Sequence, residues 1–272
     1  MPELPEVETV KNTLKKQILN KKIRNIKILY DGIISTDVNE FKKNIINQEF
    51  IDIIRRGKFL IFELSDYYLV SHLRMEGKYF IKKHSDKIEK HEHIIFDLGD
   101  VELRYHDTRK FGKMYLVEKD KLYTDTPLSH IGLEPWDDKL TNNYLKEKYD
   151  NNTPIKTLLL DQDILTGIGN IYADEILFMS KINPLKKGKE LSLEDLNNII
   201  LNTRKVLESA IEMGGTTIRS YTSSLGVIGH FQEKLLVHHQ EGHECKNCKT
   251  IILKMKVNGR GTYYCPKCQG VK

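Results

Sequence analysis

The first 244 residues of this 272-residue chain contain no cysteine, and the whole chain has seven prolines and one tryptophan. A cysteine-free stretch of that length excludes a disulfide framework across it. No apolar run reaches the roughly 18–20 residues that a transmembrane helix needs, so we expect no membrane partner. Glu3, Glu6 and Glu8 interrupt the segment where a secretory signal would have its apolar core. We therefore expect a cytoplasmic protein.

The last 28 residues lack acidic side chains altogether, although the chain as a whole carries a net charge of only +5. Their seven positive charges exceed that net value, so the remainder is slightly acidic. The seven are Lys246, Lys249, Lys254, Lys256, Arg260, Lys267 and Lys272. A compact basic segment is typical of phosphate binding, as in a nucleic-acid partner. A solvated lysine-rich tail is the alternative interpretation.

All four cysteines lie in this basic segment, in two pairs that are each separated by two residues. They are Cys245, Cys248, Cys265 and Cys268. Four thiolates in this pattern give zinc a closed tetrahedral shell, so we predict one structural Zn²⁺ with no open catalytic position. Between the pairs, Ile251–Val257 has strand character and Asn258-Gly259 is a strong hairpin signal. Arg260 is therefore expected at or beside the tip of a β-hairpin.

The remaining pattern predicts an α+β protein of several domains. Residues 5–19 read as a helix, and short antiparallel strands from Ile23 to about Val117 indicate a β-sandwich or barrel. After Pro135 the pattern is helical, with a capping box at Ser192 opening a long helix that ends near Gly214. We place domain boundaries at 2–134, 135–230 and 231–272.

The N-terminus could carry chemistry. Removal of Met1 would leave Pro2 with a free secondary amine, and an α-amino group titrates near pH 8, so a useful fraction is neutral. Such an amine can attack a carbonyl-level carbon and form a cationic iminium, and Glu3 is adjacent to move protons. The alternative is an ordinary processed terminus whose glutamates complement a helix dipole.

An opening segment and six further motifs, in order along the whole chain, resemble those of bacterial formamidopyrimidine-DNA glycosylases, the family that also contains endonuclease VIII. The opening segment spans 2–9, and the motifs span 56–58, 72–77, 90–93, 107–112, 167–175 and 259–269. The resemblance implies an N-terminal β-sandwich with flanking helices. It also implies a C-terminal helical domain with a helix–two-turn–helix element and a four-cysteine zinc-finger hairpin.

The activity implied by the resemblance is a bifunctional DNA glycosylase and abasic-site lyase of base-excision repair. Its substrates would be oxidised purines, 8-oxoguanine and formamidopyrimidines, in damaged double-stranded DNA. We expect a monomer, associated with the nucleoid of a bacterium. Two alternatives stay open: an endonuclease VIII-like enzyme for oxidised pyrimidines, and a non-catalytic protein that binds damaged DNA.

The resemblance also implies roles for individual residues. Pro2 looks like the nucleophile, Glu3 its acid–base partner and Glu6 a supporting carboxylate, while Lys58 looks like a phosphate contact that assists strand cleavage. The expected DNA-backbone contacts are His72, His91, Asn170 and Arg260, of which Arg260 also belongs to the catalytic set. Lys156 resembles a lysine near the lesion. Taken singly, the lysines would be interpreted as surface charges and the histidines as structural or solvent-exposed residues.

Extruding a base leaves a hole in the stack that side chains must fill. Met75, Arg109 and Phe111, with Lys110 between them, match the family's void-filling segment: an apolar wedge, a cation and an aromatic plate. Considered alone, Met75 and Phe111 would be core residues and Arg109 a salt-bridge partner of Asp107.

Two further segments bear on the resemblance. The polar residues 215–229 resemble a lesion-recognition loop, and glycines 167 and 169 would allow close approach of a phosphate. The chain departs from the family where Val-Tyr-Gly usually precedes the cysteines, because it has Val237-His238-His239. His238 therefore puts any contact made by that tyrosine in doubt.

Overall fold

The computed structural model describes residues 1–216 and 229–270. These form two compact units, the first spanning 1–130 and the second 131–216 with 230–270. The helical residues and the zinc-finger residues thus share one unit, whereas the sequence-based division into three domains remains a prediction.

The first unit is a β-sandwich built from two four-stranded antiparallel sheets. One sheet has the strand order β1-β6-β7-β5 and the other β2-β3-β4-β8. The strands are β1 (Asn25–Ile28), β2 (Phe50–Arg56), β3 (Phe59–Leu64), β4 (Tyr67–His72), β5 (Lys78–Lys82), β6 (Glu92–Asp97), β7 (Glu102–His106) and β8 (Lys113–Glu118). All eight lie within the region from Ile23 to about Val117 for which short antiparallel strands are expected, and the tight turn at Gly99-Asp100 separates β6 from β7.

Two helices flank the sandwich and share its hydrophobic core. In α1 (Leu4–Ile18) the buried residues Val7, Val10, Leu14 and Ile18 recur at helical spacing and pack into the same cluster as both sheets. The second helix, α2 (Val38–Ile45), lies inside the region predicted to consist of strands. Asp37 caps it by accepting a hydrogen bond from the Glu40 amide at 2.8 Å, a local signal that the strand prediction overlooked.

The second unit is mainly helical. Its helices are α3 (Asn142–Tyr149), α4 (Ile155–Leu159), α5 (Asn170–Met179) and α6 (Leu193–Glu212). The predicted capping box opens α6: Ser192 Oγ accepts from the Asp195 amide at 3.1 Å, and Asp195 accepts from the Ser192 amide at 2.9 Å. Strands β9 (Leu253–Val257) and β10 (Arg260–Tyr264) form an antiparallel hairpin that packs on α5.

The predicted fold class is therefore confirmed: an α+β protein with an N-terminal sandwich, helices and a C-terminal four-cysteine hairpin. Within the described ranges, no helix combines the length and the apolar character that crossing a bilayer requires.

Candidate active site and nucleic-acid interface

The N-terminal end of α1 gathers the predicted catalytic carboxylates. Pro2 is buried and directly precedes Glu3, the N-cap residue. The Glu3 amide donates to Glu6 Oε2 at 2.8 Å, and both glutamates are almost fully buried. Acidic groups are favoured at a helix N-terminus by the exposed amides and the helix dipole. A proline amine freed by loss of Met1 would therefore adjoin two carboxylates.

The turn between β2 and β3 carries Lys58 and is tied to the same helix. Arg55 Nε donates to Glu8 Oε2 of α1 at 2.8 Å, and its guanidinium also donates to the Gly57 carbonyl at 3.1 Å. Burial opposes ionisation of Glu8, yet hydrogen bonds from Lys11 and Arg55 outweigh it and hold the Glu8 pKa below its usual value. The charged Glu8–Arg55 pair therefore fixes the turn that presents Lys58, which is itself buried.

His72, at the end of β4, is a neutral hydrogen-bonding group. Burial, followed by the positive charges of Arg74 and Lys58, lowers its pKa to about 3. Its Nδ1 accepts from the Arg74 amide at 2.9 Å, so the single proton of the neutral ring sits on Nε2. His72 can thus donate a hydrogen bond to a phosphate oxygen without carrying charge.

Strand register brings the two predicted void-filling loops to one end of the sandwich. β4 ends at His72 and β8 begins at its partner Lys113, so the loops 73–77 and 107–112 leave the sheet together. Gly77 and Gly112 both lie against the Tyr105 hydroxyl, where a Cβ at either position would collide with it. The Thr108 hydroxyl bonds the Glu76 carboxylate between the loops.

The side chains of these loops point outward rather than into the core. Met75 is 36% and Phe111 50% exposed, so the interpretation of both as core residues is wrong. The Arg109 guanidinium lies 4.7 Å from the centre of the Phe111 ring, a cation–π arrangement. Lys110 adopts a left-handed backbone with φ of 57° and covers the Tyr30 ring at 4.3 Å.

Asp107 shapes this segment, a role that the sequence reasoning missed. Its fully buried carboxylate accepts from the amides of Arg109 at 2.9 Å, Phe111 at 3.0 Å and Gly112 at 2.8 Å. These are backbone bonds rather than the salt bridge to Arg109 considered above. Aspartate at the start of a turn commonly binds amides that follow it, and that is the signal that could have identified it.

His91 belongs to the same end of the sandwich. Its carbonyl accepts from the Asp107 amide at 2.9 Å, and its ring packs edge-on against His106 with centroids 5.6 Å apart. The first unit thus groups Lys58, His72, His91 and the two predicted void-filling loops around the ends of its strands.

The four cysteines of the second unit converge as the spacing predicted. Their Sγ atoms all lie within 4.8 Å of one another, with Cys245 and Cys268 at 3.9 Å and Cys248 and Cys265 at 3.4 Å. Tetrahedral zinc with Zn–S bonds of about 2.3 Å places its sulfurs about 3.8 Å apart. The residues therefore fit one structural zinc.

The hairpin of β9 and β10 lies between the two cysteine pairs and is called the zinc hairpin. It meets the N-terminus of α5 and brings together two residues predicted to contact DNA. Asn170 is the first residue of α5 and its Nδ2 donates to the Gly261 carbonyl at 2.9 Å, next to the exposed Arg260. Asn258 and Gly259 both have positive φ, as the predicted two-residue turn requires. Asn170 and Arg260 can therefore face one phosphate segment.

Lys156 and His238 occupy less expected positions. Both are buried, and both bind the carboxylate of Asp174 rather than facing outward. The role of Lys156 beside a lesion stays a prediction. Of the expected lesion-recognition loop, residues 217–228 lie outside the described residues.

Comparison with known proteins decides the family. The model of the formamidopyrimidine-DNA glycosylase N-terminal domain matches residues 1–114, that of its H2TH domain 131–222, and that of a zinc finger found in FPG and IleRS 242–271. The chain belongs to the formamidopyrimidine-DNA glycosylase family.

Individual relatives agree with this assignment over nearly their whole length. The formamidopyrimidine-DNA glycosylase of Oceanobacillus iheyensis is 45% identical over 99% of this chain and 98% of that relative. Among solved structures, a Lactococcus lactis FPG variant with Fapy-dG-containing DNA has a TM-score of 0.94 at 39% identity, covering 98% of this chain and 99% of that one. A Lactococcus lactis Fpg complex with abasic-site DNA gives a TM-score of 0.93 at 39% identity and the same coverage.

Proposed function

We propose that this protein is a bifunctional DNA glycosylase and abasic-site lyase of base-excision repair that removes oxidised purines. The observation that carries the proposal is Pro2 placed directly before the buried pair Glu3 and Glu6 at the start of α1. The family's relatives bound to Fapy-dG DNA and to abasic-site DNA support the substrate class and the second step.

The chemistry begins at the secondary amine of Pro2, after Met1 has been removed. The amine attacks C1′ of the extruded nucleotide, the glycosidic bond breaks, and the base leaves with the proton of the amine. The sugar ring then opens at the C1′–O4′ bond, and O4′ takes a proton from Glu3 as the cationic iminium forms. The resulting iminium acidifies the C2′ proton, and β-elimination expels the 3′ phosphate. δ-Elimination then expels the 5′ phosphate and leaves a one-nucleoside gap. Glu3 moves the protons, and Glu6 holds the Glu3 backbone in place.

Phosphate binding is assigned to residues of both units. Lys58 supplies charge and His72 a neutral Nε2–H donor, with His91 on the same sheet end. In the second unit, Asn170 and Arg260 present an amide and a guanidinium from adjoining elements. Guanidinium and ammonium groups contribute affinity that falls with salt, whereas neutral donors mainly fix position.

The void left by the extruded base is assigned to Met75, Arg109 and Phe111. The exposure of Met75 and Phe111 supports this, since apolar surface at loop tips is unfavourable in water and covering it by a partner lowers the free energy. The Arg109–Phe111 stack is already formed. The enzyme would therefore insert a preorganised cation and plate rather than assemble them on DNA.

The zinc has a structural role in this proposal. It holds the hairpin that carries Arg260 and performs no step of the reaction. We further propose that the protein acts as a monomer in the cytoplasm, on the DNA of the nucleoid.

Covalent trapping tests the mechanism. Borohydride added to a reaction with 8-oxoguanine duplex should reduce the iminium and leave a stable protein–DNA adduct. A variant with two extra residues ahead of Pro2 should bind damaged duplex but form no adduct, because its Pro2 nitrogen is an amide. Absence of an adduct with the processed protein, or normal cutting by the extended one, would refute the proposal. The first result would favour a non-catalytic damaged-DNA-binding protein.

Oxidised pyrimidines are a second candidate substrate class. A Lactococcus lactis relative was solved with DNA containing an oxidised pyrimidine, at a TM-score of 0.92 and 38% identity. Parallel trapping with duplexes containing 8-oxoguanine or an oxidised pyrimidine separates the two. Faster trapping on the purine supports our assignment, whereas faster trapping on the pyrimidine favours an endonuclease VIII-like preference.

A further inference from the structure

A buried charged cluster in the second unit has no part in the proposed reaction. It consists of Lys156 from α4, Asp174 from α5 and His238 from the segment that leads to the zinc hairpin. The side chains of Lys156 and Asp174 are fully buried, and that of His238 is 4% exposed. Three segments distant in sequence thus contribute one side chain each to a site that solvent hardly reaches.

The two carboxylate oxygens of Asp174 are divided between the other two residues. Lys156 Nζ lies 2.6 Å from Oδ1, and His238 Nδ1 lies 2.6 Å from Oδ2. A buried ammonium group is costly without a counter-charge, and a buried carboxylate is costly without donors. Each member therefore needs the others in place, which makes their relative geometry well defined.

One end of the cluster reaches the predicted phosphate contact. Lys156 Nζ also donates to the Asn170 carbonyl at 3.0 Å, at the first residue of α5. The Asn170 side chain in turn donates to the Gly261 carbonyl of β10. Lys156 is thereby placed behind Asn170, where it orients the first turn of α5.

The other end reaches the zinc hairpin. The His238 ring packs edge-on against Tyr263 of β10, with centroids 4.9 Å apart. The backbone of the same segment is held separately, because Glu175 accepts from the amides of Leu236 at 2.8 Å, Val237 at 3.0 Å and His238 at 2.8 Å. Glu175 thus anchors the backbone of His238, and the His238 ring bonds Asp174 through Nδ1 while it packs on Tyr263.

We propose that Lys156, Asp174 and His238 are positioning residues that hold the first turn of α5 and the zinc hairpin in the geometry needed to bind a DNA phosphate. The proposal rests on the DNA-binding function proposed above. Lys156 then acts through Asn170 rather than on the lesion. His238, standing where the family usually has tyrosine, acts through Asp174 rather than on DNA.

Paired substitutions at position 238 test this. His238→Asn keeps a donor near the place of Nδ1, His238→Leu removes it, and His243→Asn alters an exposed histidine of the same region as a control. The probe is a duplex with a tetrahydrofuran abasic analogue, which the enzyme cannot cleave. His238→Leu should weaken binding by about tenfold or more, as small misplacements of binding groups do. His238→Asn should bind within about threefold of the unsubstituted protein, because the hydrogen bond is retained.

Kinetics and zinc content distinguish a loss of positioning of the binding groups from a loss of folding. On 8-oxoguanine duplex, His238→Leu should raise KM while kcat and bound zinc stay close to those of the unsubstituted protein. Equal binding by His238→Leu and the unsubstituted protein would overturn the proposal. So would an equal loss in His238→Asn and His238→Leu, since the donor would then be irrelevant. Normal trapping by the unsubstituted enzyme keeps either result distinct from failure of the proposed function.

A spectroscopic readout covers the case in which His238→Leu does not fold. The Nδ1 proton shared with Asp174 should give a far-downfield proton resonance in the unsubstituted protein and lose it in Asp174→Asn. Asp174→Asn should also show faster amide exchange in the first turn of α5 than His243→Asn does. A resonance that survives in Asp174→Asn, or exchange unchanged in α5, would contradict the assignment.

Discussion

The two units build their proposed DNA-binding surfaces in different ways. In the first, the loops around Met75 and Phe111 are shaped by strand register and by the buried carboxylate of Asp107. In the second, four thiolates converge to hold the hairpin that carries Arg260. The first surface needs many weak, mutually dependent bonds, whereas the second combines one strong metal centre with the buried cluster around Asp174. Disrupting the two surfaces should therefore change DNA binding, activity and stability in different ways and to different extents.

Removal of zinc should produce the largest effect and confine it to the second unit. A structural zinc contributes about 10–16 kcal/mol to folding, comparable to the stability of a whole domain, so the hairpin should unfold. DNA binding should then fall by roughly a hundredfold or more as Arg260 and its neighbours leave the phosphates. Chelation followed by a binding assay and amide exchange measures both.

The control for zinc removal is restoration of binding by added zinc. Amide protection in β3, β4 and β8 should stay unchanged throughout. Equal loss of protection in both units would show that the sandwich depends on the metal, and the contrast between the units would be wrong.

Asp107→Asn should impair the 109–112 loop of the first unit and leave the zinc site of the second unit unchanged. An amide has one acceptor oxygen, so a bound amide of the 109–112 loop would face an NH₂ group, at a cost of about 1–3 kcal/mol. Excision of 8-oxoguanine should fall about tenfold or more because the loop is displaced. The exposed Asp125→Asn is the matched control, and bound zinc should be normal in both. Unchanged excision by Asp107→Asn would show that the Asp107 carboxylate is not needed to shape the loop for activity.

Phe111→Ala should separate function from stability within the first unit. The side chain is half exposed, so unfolding free energy should change by less than about 0.5 kcal/mol. Single-turnover excision should nevertheless drop, since the plate that fills the void is gone. Tyr123→Ala, at a similarly exposed aromatic, should leave excision intact. A large stability loss in Phe111→Ala would restore the core interpretation.

At neutral pH the smallest effect expected is that of His72, whose protonation changes stability only at acidic pH. Its pKa of about 3 in the folded protein lies below the unfolded value of 6.5, so the unfolded chain binds the additional proton. The contribution of His72 to stability is complete above pH 6.5 and is lost as pH falls toward 3, by at most about 1.4 kcal/mol per pH unit. Urea unfolding at pH 7.5 and 5.0 measures it.

The comparison for His72 uses His72→Gln, with the exposed His130→Gln as control. The stability of the unsubstituted protein relative to His72→Gln should be lower at pH 5.0 than at pH 7.5. The same difference at both pH values would mean that His72 binds its proton equally in the folded and unfolded states. Burial would then not keep the ring neutral, and its role as a neutral donor at acidic pH would fail.

Features set by short-range pattern were predictable from the sequence. The zinc site follows from the spacing of Cys245 to Cys268, and the Asn258-Gly259 turn follows from its own backbone preference. Helix α1 and the strands on either side of Gly99-Asp100 likewise have local causes. Short-range signals can also be overlooked, as the Asp37 cap of α2 demonstrates.

Features that depend on pairing across the fold were not predictable. The loops of Met75 and Phe111 meet because His72 pairs with Lys113, a register that tertiary packing determines. The partner of His238 is Asp174, 64 residues away, and nothing near either residue indicates it. The motif resemblance located these residues but not what their side chains touch.

The central claim is that Pro2, and no lysine, forms the covalent intermediate. Borohydride-trapped protein–DNA adduct can be digested with trypsin and nuclease, and the modified peptide identified by mass spectrometry. Our account predicts the reduced sugar fragment on the N-terminal peptide that ends at Lys11, attached to the Pro2 nitrogen, with Met1 absent. A sugar fragment on a peptide containing Lys58 or Lys156, with the Pro2 peptide unmodified, would contradict it.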